Sequence, residues 1–182
     1  MVLYVIDIYG WCILWFDTVE TWVFTNMKKR YTYLMEALVL GWLFFNRHPN
    51  RTITSGNNIV SPADGTIVDI TGNRIEIFIG LTDVHYQRIP AAGTVIHITD
   101  MNREYNLIEL DTSFGIITVE RWAGKIARTV TTDVKVGDTL NKGDTIGRIV
   151  LGSHTSITIP LGLTIKVAKD QHVFAGETII AE

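Results

Sequence analysis

One cysteine, Cys12, stands among 182 residues. That scarcity excludes an intrachain disulfide framework and a cysteine-rich zinc site, and no metal site is expected; it leaves the redox compartment open. A basic surplus is also missing, because 16 Lys and Arg face 19 Asp and Glu for a formal net charge of −3. A general nucleic-acid binder would show the opposite balance. Charged residues make up 19% of the chain against 47% apolar ones, which excludes an intrinsically disordered polymer. No apolar run reaches the roughly 20 residues of a comfortable membrane-crossing helix. No Lys or Arg stands near the start to open a secretory signal peptide. The length suits one domain with a substantial core.

Turn-forming residues are scarce in one part of the chain only. Residues 1–45 hold two of the fifteen glycines and none of the four prolines, yet four of five Trp, four of six Tyr and four of seven Phe. The runs 1–16 and 31–45 carry one charge each, Asp7 and Glu36, and the basic triplet Lys28, Lys29 and Arg30 lies between them. Trp and Tyr favour the headgroup level of a bilayer and a basic cluster meets anionic lipid. Residues 1–45 are therefore expected to form a helical, membrane-associated leader, interfacial or re-entrant, with packing as ordinary core as the plainer alternative.

From Asn58 onward, β-rich runs alternate with turn signals: 66–70, 74–80, 94–99, 107–110, 116–120, 126–130, 145–150, 156–159 and 164–167. In RIEIFIG, Ile75, Ile77 and Ile79 fall on one face and Glu76 and Phe78 on the other. VGDTLNKGDTI (136–146) lines up weakly with KDQHVFAGETI (169–179), pairing Leu140 with Val173 and Gly143 with Gly176. The rhythm predicts a mainly β body, 46–182, in a compact β-sandwich or barrel-like form.

Three segments hold an acid, a base and a nucleophile: SPADG (61–65), DVHYQRIPAAG (83–93) and LGSHTS (151–156). Each is weak alone, since Asp64-Gly65 is a common turn, His85 suits a structural histidine and Gly152-Ser153 is an ordinary loop dipeptide. In this combination and order they resemble the phosphatidylserine decarboxylases, in the short, archaeal and bacterial branch. The likeness runs from about Phe44 to the C-terminus. It includes FFNRHPNR (44–51) and the stretch 126–153 that leads into LGS.

The resemblance implies a proenzyme that cuts itself at the Gly152-Ser153 bond. The Ser153 hydroxyl would attack the Gly152 carbonyl, the resulting ester would eliminate, and Ser153 would become a covalently bound pyruvoyl group. That ketone takes up the substrate's amine and the electrons released as carbon dioxide leaves, converting phosphatidylserine to phosphatidylethanolamine. Asp64, His85 and Ser153 map onto orienter, base and nucleophile. Many relatives carry D-x-H-x-x-H-x-P, whereas this chain has Arg88 at the second histidine position. His85 then matches only the first, and His154 is a second candidate base, although a strand neighbour often points away. Arg88 reads either as a surface ion pair or as a clamp on the substrate's phosphate or carboxylate. His97, between Ile96 and Ile98, reads as a half-buried strand residue. The implied partners are a phospholipid, a membrane (peripheral or N-terminal attachment at the cytoplasmic face) and the two cleavage fragments as a heterodimer; a homo-oligomer is compatible.

Two other readings share this vocabulary. SPADGTIVDI and VKVGDTLNKGDTI also resemble biotinyl and lipoyl carrier domains, but no Met-Lys-Met turn occurs and the two segments lie about seventy residues apart. The other keeps the fold as a membrane-bound β-scaffold without activity.

Overall fold

The computed structural model describes residues 27–124, 129–150 and 153–182, with residue 153 described through its backbone alone. The apolar run 1–16, Gly152 and residues 125–128 lie outside the described residues. The chain divides into two compact units, Met1–Phe44 and Phe45–Glu182.

Among the described residues one helix, α1, occupies 27–45. It follows the Lys28–Arg30 triplet with a run free of proline and rich in Leu, Met and Ala, which favour helix. Successive residues in a helix turn by about 100°, so an unbroken apolar run clothes every side. Tyr33, Leu40 and Trp42 are accordingly about two-thirds exposed (64–66%). No helix among the described residues is long and apolar enough to cross a membrane.

The second unit is β throughout. Its strands are β1 Ile59–Val60, β2 Gly65–Thr71, β3 Arg74–Ile79, β4 Tyr86–Arg88, β5 Gly93–Met101, β6 Tyr105–Thr112 and β7 Gly115–Trp122, followed by β8 Thr129–Thr132, β9 Thr139–Leu140, β10 Thr145–Val150, β11 Ser153–Thr158, β12 His172–Val173 and β13 Ile179–Ala181. An eight-stranded sheet runs β12-β2-β3-β11-β7-β6-β5-β9, a three-stranded sheet β4-β10-β8, and a pair β1-β13. No barrel closes. The large sheet ends on β12 and β9, each two residues long and paired on one side only, so the barrel-like expectation gives way to open, packed sheets.

Ile75, Ile77 and Ile79 of β3 are all fully buried and Phe78 is exposed, as the alternation requires. Each buried isoleucine is worth roughly 1.5–3 kcal/mol relative to exposure. A one-residue slip would turn all three outward, which fixes β3 against β11 and β2. The core continues through Ile67, Ile108, Leu110, Ile117, Val119, Ile146, Ile149 and Ile157.

Arg121 is fully buried in this core. Its Nε donates to Asn106 Oδ1 at 3.1 Å, its Nη1 to the Thr131 carbonyl at 3.1 Å and its Nη2 to Thr132 Oγ1 at 2.6 Å, tying β7 and β6 to β8 of the smaller sheet. Burial pushes its pKa down to about 10, against the opposing pull of Asp100 and Asp133. The guanidinium stays charged and hydrogen-bonded, as a buried charge must.

The weak repeat is real in space. β9 and β12 each lead through a tight turn into a returning strand, and the turn glycines Gly143 and Gly176 have φ of +90° and +78°. A Cβ at Gly143 would sit 2.4 Å from Ile53 Cγ1, and one at Gly176 2.7 Å from Ile53 Cδ1. Both turns close on one side chain, so neither position accepts a larger residue. The expected strand at 164–167 contributes only an isolated bridge, Ile165 to Ala181. The two- and three-residue strands β1, β4, β9, β12 and β13 are too short to carry a readable alternation.

Candidate active site

The loop from β3 to β4 passes from the large sheet to the small one, close to where β10 ends and β11 begins. β3 ends at Ile79, and residues 80–85 lead to β4; β10 ends at Val150, and residues 151–152 lead to β11. Ile79 lies opposite Ser153. At the other side the Ile149 N–H donates to the His85 carbonyl at 3.1 Å. The expected cleavage bond therefore falls within the span 149–153, whose two ends are held by the two ends of the loop that carries His85.

That loop is built by Asp83. Its Oδ2 accepts the Gly80 N–H at 2.8 Å, closing the turn, and its Oδ1 pairs with His172 Nε2 at 3.0 Å. Its main-chain carbonyl faces His85 Nδ1 at 2.9 Å. A carbonyl can only accept, so Nδ1 carries the proton and Nε2 of the neutral ring presents a bare lone pair. His85 is 2% exposed, and its buried Nε2 has no hydrogen-bond partner among the described residues. Phe45 covers the ring, with centroids 4.1 Å apart. Burial lowers the pKa of His85 below its usual 6.5, outweighing the opposing effects of Asp83 and Asp64. The result is a neutral, pre-oriented base in a dry setting.

Gln87 of β4 reaches across to the large sheet, where its amide Nε2 donates to Thr155 Oγ1 of β11. Both side chains are fully buried. Gln87 Oε1, like His85 Nε2, has no partner.

Asp64 is placed differently from the expected orienter. Its Oδ1 accepts the Ala175 N–H at 2.8 Å, and its Oδ2 pairs with Arg51 at 2.5 Å. Among the described residues the contact that sets the His85 tautomer comes from the Asp83 carbonyl, and Asp64 acts on the ring through its charge alone. A buried carboxylate is already committed to two partners, and a second-row position is what remains to it.

Arg88 is neither a surface ion pair nor a free clamp. It donates to the Gly143 carbonyl at 2.8 Å and the Pro49 carbonyl at 3.0 Å, and burial, then the nearby Arg51 charge, lowers its pKa. It locks the 44–51 segment to the Gly143 turn. The rest of that segment is used as well: Arg47 donates to the Thr82 carbonyl, and His48 stacks on Tyr86 at 4.4 Å. His154 lies on the opposite parity of β11 from Thr155, exposed, with its ring 5.3 Å from Phe78. It lines a shallow hollow of about 280 Å³ with Arg74, Glu76 and Trp122, and among the described residues no contact joins it to His85. His97 is exposed and bonds Thr99, not half-buried.

Residues 42–181 match the family profile described as phosphatidylserine decarboxylase. The chain belongs to that family. An archaetidylserine decarboxylase proenzyme of Methanosarcina barkeri is 37% identical over 163 residues, covering 82% of this chain and 80% of the relative. Phosphatidylserine decarboxylase proenzymes of Ehrlichia canis (34%; 80% of this chain, 76% of the relative) and Nitratidesulfovibrio vulgaris (36%; 79% of each) are similar too. The chain is thus a carboxy-lyase of the phosphatidylserine decarboxylase type.

For this decarboxylase, sequence reasoning missed Phe45, Arg51, Asp83 as a loop-builder, Gln87 and Thr155. Gln87 had one usable signal: it stands two residues from His85 in DVHYQR, on the same parity of a strand too short to be recognised. Arg51 and Thr155 gave none, because their partners Asp64 and Gln87 lie 13 and 68 residues away.

Proposed function

We propose that this decarboxylase is made as a proenzyme that cuts itself between Gly152 and Ser153, and that the product removes carbon dioxide from the serine headgroup of a phospholipid, phosphatidylserine giving phosphatidylethanolamine. The observation that carries the reading is the neutral His85, whose buried Nε2 has no partner among the described residues and whose loop leaves β3 at Ile79, the residue paired with Ser153.

In self-cleavage, His85 Nε2 takes the proton of the Ser153 hydroxyl as its oxygen bonds to the Gly152 carbonyl carbon. The same proton then goes to the nitrogen of residue 153 as the peptide bond opens into an ester. A ring held neutral by burial is ready to accept it at ordinary pH. A pyruvoyl group at position 153, once formed, supplies the ketone that takes up the electrons left as carbon dioxide departs. The residues present fit such a group, since two buried polar atoms, His85 Nε2 and Gln87 Oε1, stand unpaired beside β11. His85 would return a proton to the substrate carbon, Phe45 keeps water off the ring, and Arg51 holds the Asp64 charge behind it.

The small fragment, 153–182, would remain attached as a heterodimer partner. It contributes β11 between β3 and β7, β12 beside β2 and β13 beside β1. The leader, 1–45, would hold the enzyme at a membrane surface, on the cytoplasmic side, where its lipid substrate lies; the motive is the exposed apolar surface of α1.

Intact-mass measurement tests the cleavage. The wild-type chain is expected as fragments 1–152 and 153–182, and Ser153→Ala as a single uncut chain. Normal processing in Ser153→Ala would remove the assignment. Offering phosphatidylserine and archaetidylserine to the processed enzyme, with headgroups read by mass spectrometry, identifies the lipid.

A further inference from the structure

Three buried side-chain polar atoms among the described residues lack a partner, and two of them, His85 Nε2 and Gln87 Oε1, belong to alternate residues entering one strand. Leaving such an atom unmatched is unfavourable. The contact with Thr155 accounts for the Gln87 amide nitrogen and leaves its oxygen without a structural use among the described residues. Its other end is fixed: Nε2 donates to Thr155 Oγ1, on the strand that begins at residue 153. Positions 153 and 155 are one strand repeat apart, roughly 6.7 Å. The amide is anchored one repeat from the reacting residue with its carbonyl oxygen free to accept.

Self-cleavage creates the matching donor. In the uncut chain the nitrogen of residue 153 is an amide with one hydrogen. When the Ser153 oxygen bonds to the Gly152 carbonyl carbon and the carbon–nitrogen bond breaks, the hydroxyl proton passes through His85 to that nitrogen. It becomes an amine with at least two hydrogens. We infer that Gln87 is the hydrogen-bond acceptor for the amino nitrogen released at residue 153, and that it pulls the otherwise unfavourable amide-to-ester exchange forward. Because its oxygen is unmatched before the shift and matched after it, the contact stabilises only the ester side and raises the share of ester available to eliminate. The inference rests on the self-cleavage reading above.

The test uses the full-length chain made fresh by cell-free synthesis. The first-order rate of cleavage is followed by intact mass, and hydroxylamine, which cuts esters, reports the share of chains in the ester form. Gln87→Met keeps the shape and removes the acceptor. It is expected to slow cleavage roughly tenfold and to lower the hydroxylamine-sensitive share in parallel; because it also strands the buried Thr155 hydroxyl, Gln87→Met combined with Thr155→Val is the stability control, expected to cleave as slowly with the thermal midpoint recovered. Gln87→Glu, which keeps an acceptor, should recover much of the rate as pH rises and its carboxyl ionises. Where Gln87→Met does not fold, Gln87→Met combined with Thr155→Val, which removes both polar partners, serves instead. A Gln87→Met chain that cleaves at the wild-type rate would overturn the inference, as would equal rates for Met and Glu at every pH, or slowing that tracks lost thermal stability. Failure of the wild-type chain to cleave at Gly152-Ser153 would instead sink the self-cleavage reading itself.

Discussion

The helix at 27–45 and the β-body are both rich in apolar side chains, yet they dispose of them in opposite ways. In the body, Ile75, Ile77, Ile79, Ile108 and Ile149 are all fully buried, whereas in the helix Leu38, Val39, Leu43 and Phe44 are each more than half exposed. The strands alternate, so one face can be covered by a second sheet and the other left to water. The helical run does not alternate at the helix period, and no single partner surface could cover all of it. The lesson is that apolar content by itself does not make a core; the apolar side chains must share a face that another element can cover.

This contrast makes separable predictions: chemistry and unfolding should answer to the body, and membrane attachment to the leader. The largest effect is expected for His85→Ala. Loss of a general acid–base group costs about 10²- to 10⁴-fold, in cleavage or in decarboxylation of whatever protein is processed, with vesicle binding unchanged. Gel densitometry and carbon dioxide release measure the two arms. Removal of residues 1–24 sharpens the other side: co-sedimentation with anionic liposomes should fall severalfold while cleavage continues. Equal sedimentation would return the leader to ordinary packing.

Arg51→Met tests whether the body depends on the charge behind His85. It strands the 4% exposed Asp64 carboxylate and should cost about 3 kcal/mol in chemical denaturation, more than Asp64→Asn in the same assay. Gly176→Ala, which forces a positive φ and crowds Ile53, should cost about 1–3 kcal/mol, and Ile53→Ala in the same chain should recover part of it.

The smallest effect is in pH. Burial lowers the pKa of His85 below 6.5, so between that folded value and 6.5 the unfolded chain binds more protons. Stability therefore rises with pH across this window and declines as pH falls through it. The cleavage rate should follow the neutral ring, staying level through 6.5 and dropping only at lower pH. A rate that fell already above 6.5 would contradict a desolvated base.

Much of the body was legible in the sequence. RIEIFI announced β3 because six residues suffice for the alternation to show, and 145–150 was placed at its observed limits. The repeat was readable because Gly143 and Gly176 each need a left-handed turn, a demand written in one residue. For the site, the segments around Asp64, His85 and position 153 were visible by composition and order. Their relations were not. That Asp64 answers to Arg51 and not directly to His85, that Arg88 ties a loop to a turn, and that Gln87 reaches Thr155 all depend on pairs distant in sequence.

The sequence by itself determined the family, the β character of the body and the candidate reacting residues, because periodicity and short motifs are local properties. The tertiary structure decided which sheets form, that no barrel closes, and which tautomer His85 holds. Those follow from pairing between distant strands and from burial, which sets a histidine's charge and leaves a lone pair bare only once the rest of the chain has packed around it.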